Sequence, residues 1–160
     1  MQCLILKKRG GGGKSFYVYE QDTNSGFYIN PRKKIKNKIK VNVDTIDAYC
    51  QKRNIKYINF LKIDCEGSEP EILCGAKKLI NAGAIDCIYL ELSIGNLYSK
   101  IDHQIYDIEK MLYKNFSLCG LNTNGNYAEI INSVHQHAKH LTLCLFYLKK
   151  QIFNKLKTKI

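Results

Sequence analysis

Two periods in the distribution of apolar residues predict the strands of this chain. Single polar residues separate the apolar ones in Lys38–Val43, which is typical of a strand with one exposed face. Longer apolar runs at Tyr57–Ile63 and Ile85–Leu92 predict strands that are buried on both faces. Three further segments complete the predicted strands, the final two as an antiparallel pair: Phe16–Tyr19, Phe116–Leu121 and Leu141–Leu148.

Capping residues and apolar stripes predict the helices between these strands. Asp44 is expected to cap a helix that runs to about Arg53. Ser68 and Glu71 have the spacing of a capping box and begin a second helix, which ends at Gly83. One face of that helix is apolar, and a third helix has its own apolar stripe: Ile101, Ile105, Ile108 and Leu112.

The order of these elements predicts an α/β fold. Strand, helix, strand, helix is the pattern of a mostly parallel sheet with helices on both faces. A length of 160 residues, with no internal repeat or boundary signal, suits a single domain over residues 1–160. Residues 149–160 are expected to form a basic tail.

The charge is concentrated in a few segments. There are 25 Lys and Arg against 14 Asp and Glu, for a formal net charge of +11. From Val41 to Leu148 the chain has 10 basic and 12 acidic residues, so its centre is nearly neutral. The other 15 basic residues lie in three segments without acids: 1–14, 31–40 and 149–160. Aromatic residues do not alternate with these basic residues, so no nucleic-acid partner is expected.

Seven cysteines and the apolar runs bear on the compartment. The cysteines are odd in number, contain no Cys-x-x-Cys pair and partly lie in apolar runs, which predicts reduced thiols and no metal site. The longest nearly apolar stretch, Leu141–Leu148, is far shorter than the ~18 residues of a membrane span. Met1–Leu6 lacks the features of a signal peptide. A cytoplasmic protein is expected.

Acidic residues stand where two of the predicted strands end. Asp64 and Glu66 follow the strand 57–63, and Glu91 lies near the end of the next one. If these strands are neighbours, the three carboxylates converge on one crevice beyond the sheet. A carboxylate that ends an apolar strand needs a polar partner, which favours a functional Asp64. Glu69 is expected only to complement the dipole of the following helix.

Other motifs give weaker signals. Gly13–Ser15 supplies the second half of a phosphate-binding loop, but Lys8 stands at its first glycine and a strand follows, so nucleotide binding is a third alternative. His103 could reach the crevice as a base. Three further histidines are expected in a surface loop: His135, His137 and His140.

Several motifs resemble the C-terminal half of the FkbM-type methyltransferases. Phe60-Leu-Lys-Ile-Asp-Cys-Glu-Gly-Ser-Glu69 matches a specific motif of that family, and the resemblance covers roughly residues 16–148. Three flanking segments occur in the family's order and at about its spacings: Val43–Asp47, Ile72–Ala76 and Ile88–Glu91. The resemblance implies a Rossmann-like class I methyltransferase fold and methyl transfer from S-adenosylmethionine to a hydroxyl group of a small-molecule or glycan acceptor.

The resemblance also implies roles for individual residues. Lys62, Asp64, Glu66, Gly67 and Glu91 take the positions of the family motif. Asp64 is the candidate for orienting the methionine end of the cofactor or the acceptor. Glu66 and Glu91 are candidates for acceptor binding or for the general base.

The chain departs from the family in its N-terminal part. The glycine-rich cofactor loop and the first two strands are expected to be missing, with Met1–Leu6 as a remnant of the third, so no cofactor-binding residue is identified. The strand at 58–63 would then expose an unpaired edge. A homo-oligomer or a separate N-terminal half are the expected partners. The alternative is a degenerate, non-catalytic α/β module for binding or dimerisation.

Overall fold

A computed structural model of the chain describes residues 13–20, 25–94, 104–123 and 141–157. Six strands and five helices follow one another in these residues: β1 (Gly13–Tyr19), β2 (Ile35–Asn42), α1 (Ile46–Lys52), β3 (Ile58–Asp64), α2 (Glu69–Gly75), α3 (Lys77–Asn81), β4 (Ile85–Ile94), α4 (Gln104–Leu112), β5 (Phe116–Thr123), β6 (Leu141–Lys149) and α5 (Lys150–Lys157).

The strands form two sheets. β1 and β2 pair antiparallel as a two-stranded ribbon, and the other four form a sheet in the order β3-β4-β6-β5. The expected α/β class and the antiparallel pair β5–β6 are confirmed. The expectation of a mostly parallel sheet is wrong for the described strands. Only β3 and β4, joined by the α2–α3 crossover, run parallel, because β6 enters between β4 and β5 antiparallel to both.

The hydrophobic core forms around β4, which is paired on both sides. Its side chains at Ile85, Ile88, Leu90 and Leu92 are fully buried. The predicted apolar face of the second helix contributes to the same core through Ile72, Leu73, Ala76 and Ile80. On α4, Ile108 and Leu112 are buried and Ile105 is exposed, whereas Ile101 lies outside the described residues. α2 packs against α4, and α1 packs against α2 and α3. The predicted covering of both sheet faces stays a prediction.

The helix starts differ from those predicted. The Oγ1 of Thr45, not Asp44, caps α1 by accepting a hydrogen bond from the Ala48 N–H at 3.0 Å. Ser68 stands at the start of α2 without making a side-chain cap bond, so the capping box is wrong. The single helix expected up to Gly83 is divided at Ala76, whose ψ of 10° departs from helical geometry.

Two strands are more exposed than predicted. Most of β2 is exposed, including Ile35 and Ile39. Only Ile63 is buried in β3, and Phe60 is 56% exposed. β3 is an edge strand in the described part of the sheet, where none of the other strands pairs with its outer side. The expectation of an unpaired edge here agrees with this arrangement.

The expected basic tail is ordered as far as the structure describes it. β6 extends to Lys149, and α5 follows at once and packs against β5 and β6. Lys149 donates a hydrogen bond from Nζ to the carbonyl oxygen of Gly83 at 2.5 Å. This stretch therefore belongs to the folded unit.

Candidate functional site

Two carboxylates lie side by side where the parallel pairing of β3 with β4 ends. Asp64 is the last residue of β3 and pairs in register with Glu91 of β4. The carboxyl ends of parallel strands form one edge of a sheet, which is where α/β proteins bind ligands. The structure thus brings these two predicted residues together.

Lys62 connects the two carboxylates. Its Nζ lies 3.1 Å from Oδ2 of Asp64 and 3.9 Å from Oε2 of Glu91. The three side chains are 31–51% exposed, so these ion pairs add little to stability. An exposed cluster of this kind is open to a ligand.

Glu91 holds its proton more tightly than an ordinary glutamate. Burial raises the pKa of the Glu91 carboxyl, and the charge of Asp64 raises it further. Lys62 opposes this effect, whereas Glu66 adds to it. The charge of Glu66, the third predicted carboxylate, therefore acts on Glu91. A carboxylate whose pKa is raised is a stronger base.

The turn that carries Glu66 has a strained backbone. Glu66 has φ of 49° and Gly67 has φ of 97°, both in the region that favours glycine. Gly26 packs closely on this turn, because a Cβ built on it would lie 3.4 Å from the Cβ of Glu66. Strained conformations of non-glycine residues occur often at functional sites.

Glu69 holds this turn from the inside. Its side chain is 0% exposed, and Oε1 accepts hydrogen bonds from the N–H of Cys65 at 3.0 Å and of Gly67 at 3.2 Å. Burial raises the pKa of Glu69 to about 7, against the lowering effect of the hydrogen bonds. Its Oε2 and the buried Oγ of Ser68 have no hydrogen-bond partner among the described residues. The sequence predicted only a dipole effect for Glu69 and gave no sign of this positioning role.

The ribbon contacts the helix that follows the Glu66 turn. Nζ of Lys14 lies 3.7 Å from Oε2 of Glu71 and over the rings of Phe27 and Tyr28, at 4.6 Å and 5.2 Å from their centroids. Burial and the charge of Glu71 raise the pKa of Tyr28. Lys14 belongs to a strand, and its side chain is used in these contacts, which argues against the phosphate-loop alternative.

An apolar groove of about 250 Å³ adjoins the carboxylates. Lys62 lines the groove and pairs with Asp64 and Glu91, so the groove has a polar end at the cluster. Apolar pockets with a few polar groups are typical ligand sites. The groove lies between α1, β3 and α2 and is lined by Ile46, Tyr49, Cys50, Ile55, Ile58, Leu61, Lys62, Ile63, Cys65 and Ile72.

Some predicted candidates fall outside the described residues, namely Met1–Leu6, His103 and the histidines at 135, 137 and 140. Within the described ranges, no group of three His, Cys, Asp or Glu side chains is arranged to hold a metal ion. No helix in the described part of the chain is long and apolar enough to cross a membrane.

The fold and the position of the cluster define an α/β protein with a candidate site at the carboxyl ends of two parallel strands. The model of the methyltransferase FkbM domain matches residues 4–115, which include β1 to α4 and all three carboxylates. The chain belongs to the FkbM methyltransferase family, and its class of activity is methyl transfer. No curated protein and no solved structure matches the chain.

Proposed function

We propose that the chain transfers the methyl group of S-adenosylmethionine to a hydroxyl group of a small-molecule or glycan acceptor at the cluster of Asp64, Glu66 and Glu91. The observation that carries the proposal is the register of Asp64 with Glu91 within a methyltransferase domain. The buried thiols of Cys50 and Cys87 support a cytoplasmic location.

The described residues suit part of this cofactor. The apolar groove fits a flat apolar ring system, and the carboxylates at its polar end fit a cationic group. When bound, S-adenosylmethionine supplies a methyl group on a positively charged sulfur. Asp64 would orient its methionine end or the acceptor.

Glu91 is the proposed general base. Its raised pKa keeps it more basic than an exposed glutamate, and Lys62 nearby stabilises its charged form. Glu91 takes the proton of the acceptor hydroxyl on its carboxylate while Glu66 binds the acceptor. Because methyl transfer needs an in-line approach, correct positioning of the acceptor by these groups supplies much of the rate.

The test is binding of S-adenosylmethionine, measured by isothermal titration calorimetry. It uses this chain and a version extended to the start of its open reading frame. Asp64→Ala is expected to weaken binding about tenfold or more, consistent with the loss of a charge-assisted contact. Asp107→Asn, which removes an exposed acid on α4, should leave binding unchanged. The proposal fails if neither version binds the cofactor.

A second assay separates binding from chemistry. Glu91→Gln should retain cofactor affinity and lose methyl transfer to a hydroxyl acceptor by about 10²-fold or more, as expected for removal of a general base. Equal loss in both assays would exclude the role of base.

The exposed edge of β3 favours the alternative, a non-catalytic module that pairs with another chain. That reading predicts stable assembly without cofactor binding. Sedimentation velocity of the extended version, beside the calorimetry, distinguishes it from the enzyme.

A further inference from the structure

The four-stranded sheet has two unlike faces. On β4, Ile88, Leu90 and Leu92 belong to the hydrophobic core, to which α1, α2, α3 and α4 all contribute side chains. Successive side chains of a strand point to opposite faces of the sheet, so Tyr89 and Glu91 stand on the other face. Tyr89 is partly buried and lies outside the core cluster. The carboxylate cluster is therefore on the face opposite to the core of these four helices.

The strand registers place aromatic side chains next to one another on this second face. Lys62 of β3 pairs with Tyr89 of β4, which in turn pairs with Phe146 of β6. Residues opposite each other on neighbouring strands share a face, with Cβ atoms about 5 Å apart, so Tyr89 and Phe146 are adjacent. Phe146 is also partly buried and outside the core cluster. The row ends at Gly120 of β5, which has no side chain to stand beside Phe146.

Phe60 extends this aromatic surface toward the outer strand. It precedes Lys62 by two residues on the same face of β3, and its register partner is Cys87, so Phe60 lies diagonally from Tyr89. Its side chain is 56% exposed. We call the side chains of Phe60, Tyr89 and Phe146 the aromatic platform.

The aromatic platform continues into the carboxylate cluster. Asp64 and Glu91 pair in the next row of the same face, two residues along the strands from Lys62 and Tyr89. Lys62 contacts both carboxylates from the row of the aromatic residues. A molecule that lies flat on the platform therefore has carboxylate oxygens and an ammonium group at its rim.

A sugar ring matches this combination of groups. One face of a pyranose presents C–H groups, which pack well against aromatic rings. Its rim carries several hydroxyl groups, which can donate hydrogen bonds to carboxylates and accept one from Lys62. An aliphatic chain on the platform would bury these charged groups without offering them a hydrogen bond, and a phenol offers only one hydroxyl.

We propose that the acceptor is a glycan, and that one of its sugar rings stacks on the aromatic platform with a hydroxyl directed to Glu91. This inference names the acceptor class of the methyl transfer proposed above and rests on that function. Because β3 is an edge strand in the described part of the sheet, neighbouring sugars of the glycan can continue past Phe60.

The test is saturation-transfer difference NMR on the full chain, which detects weak binding and needs no cofactor. The probes are the methyl glycosides of glucose, galactose, mannose and N-acetylglucosamine, with phenol and 1-hexanol at equal concentration. The ring C–H protons of at least one glycoside should receive saturation, and that glycoside should bind more tightly than phenol or 1-hexanol. Absence of binding by all of the glycosides, or tighter binding of phenol or 1-hexanol, would overturn the proposal.

The two proposals can be told apart by their separate ligands. Calorimetric binding of S-adenosylmethionine without any glycoside binding would overturn only the glycan acceptor. Glycoside binding that depends on the platform, without binding of S-adenosylmethionine by either version of the chain, would overturn only the proposed methyl transfer.

Variants of the platform show where the glycoside binds. Tyr89→Leu and Phe146→Leu remove the rings but keep an apolar side chain, and each should weaken glycoside binding about fivefold or more. Phe60→Ser changes an exposed side chain outside the core and should weaken binding about threefold. Tyr113→Leu is the matched control, at a tyrosine 52% exposed just after α4, and should bind as the original chain does.

Circular dichroism should show that each variant folds. Unchanged glycoside binding in the folded platform variants, or an equal loss in Tyr113→Leu, would overturn the proposal. Self-assembly of the chain that Tyr89→Leu abolishes would assign this face to a second copy instead.

Discussion

The buried carboxylate of Glu69 gives the turn after β3 a dependence on pH. Its folded pKa of about 7 lies above the value of 4.5 for a free glutamate, so the native state binds the proton more tightly. Stability is therefore greatest at low pH with respect to this group and falls as pH rises from about 4.5 to 7. The contribution is on the order of 3 kcal/mol.

Glu69→Gln should remove this dependence, because the amide oxygen can accept the same two backbone hydrogen bonds without titrating. Urea unfolding across this pH interval measures it. The control is Glu71→Gln in the same helix, which should retain the fall in stability. Identical pH profiles for the original chain and Glu69→Gln would contradict the assignment.

The left-handed backbone of Glu66 costs stability, and we propose that the carboxylate it positions binds the acceptor. Glu66→Gly relieves a positive φ, so thermal unfolding should show a stability unchanged or raised by up to ~1 kcal/mol. Methyl transfer should fall, because the acceptor loses one of its carboxylate contacts. Asn54→Gly, at the other described non-glycine residue with positive φ, should affect stability alike and leave activity intact.

For individual residues, the sequence could indicate which ones lie close together but not how their side chains are oriented. Asp64 and Glu91 could be placed together because Asp64 follows one apolar run and Glu91 lies near the end of the next, and neighbouring parallel strands end at one edge. The burial of Glu69 could not be anticipated in this way. Its direction depends on the two positive φ angles before it, which bring the N–H groups of Cys65 and Gly67 to its oxygen.

Among the elements, α1 and α3 are connected through one side chain. Asp47 lies in the first turn of α1, yet its two oxygens accept hydrogen bonds from the N–H of Lys78 at 2.9 Å and of Leu79 at 3.1 Å. These N–H groups at the start of α3 have no partner within their own helix. Asp47 therefore acts as a cap across the fold.

Asp47→Ala should lower the free energy of unfolding by about 1–2 kcal/mol, as the loss of a helix cap does. Chemical denaturation measures the change. Asp44→Ala is the control, because that carboxylate is partly exposed and pairs with the exposed Lys52, and it should cost much less. Equal losses would show that Asp47 acts only through general charge.

The periodicity of the chain predicted the buried face of α2 and α3 but not the break between them. Helical spacing continues across the break in four core residues, so the apolar pattern predicts one continuous helix: Ile72, Leu73, Ala76 and Ile80. The departure at Ala76 changes local backbone angles without moving the stripe from the core. The hydrophobic period indicates which face of a helix is buried. Whether the helix is continuous depends on its backbone hydrogen bonds.

At the scale of the whole molecule, we propose that the outer edge of β3 takes part in self-association. Its N–H and C=O groups face no other described strand, and Phe60 is 56% exposed beside them. Phe60→Lys should reduce concentration-dependent assembly in sedimentation velocity, because charge on an edge opposes strand pairing. Tyr106→Lys, at a residue 67% exposed on α4, should have no such effect. Unaltered assembly in both variants would place the contact elsewhere.

Only part of the sheet topology could be predicted from the sequence. The β3–α2–α3–β4 unit could be predicted because a short crossover requires parallel neighbours. The insertion of β6 between β4 and β5 could not be predicted, because the sequence of Leu141–Lys149 does not indicate which strands it pairs with. The four strands of this sheet were therefore predicted from the sequence, but their order in the sheet was not.

The position of β6 also governs the time course of folding. Pairing of Leu90 with Leu145 closes a loop that contains all of α4 and β5, and closing long loops slows folding. The β3–α2–α3–β4 unit depends on contacts closer in sequence and can form earlier. During synthesis, one edge of the apolar strand β4 therefore stays unpaired until β6 has left the ribosome. A chaperone would be needed most in this interval.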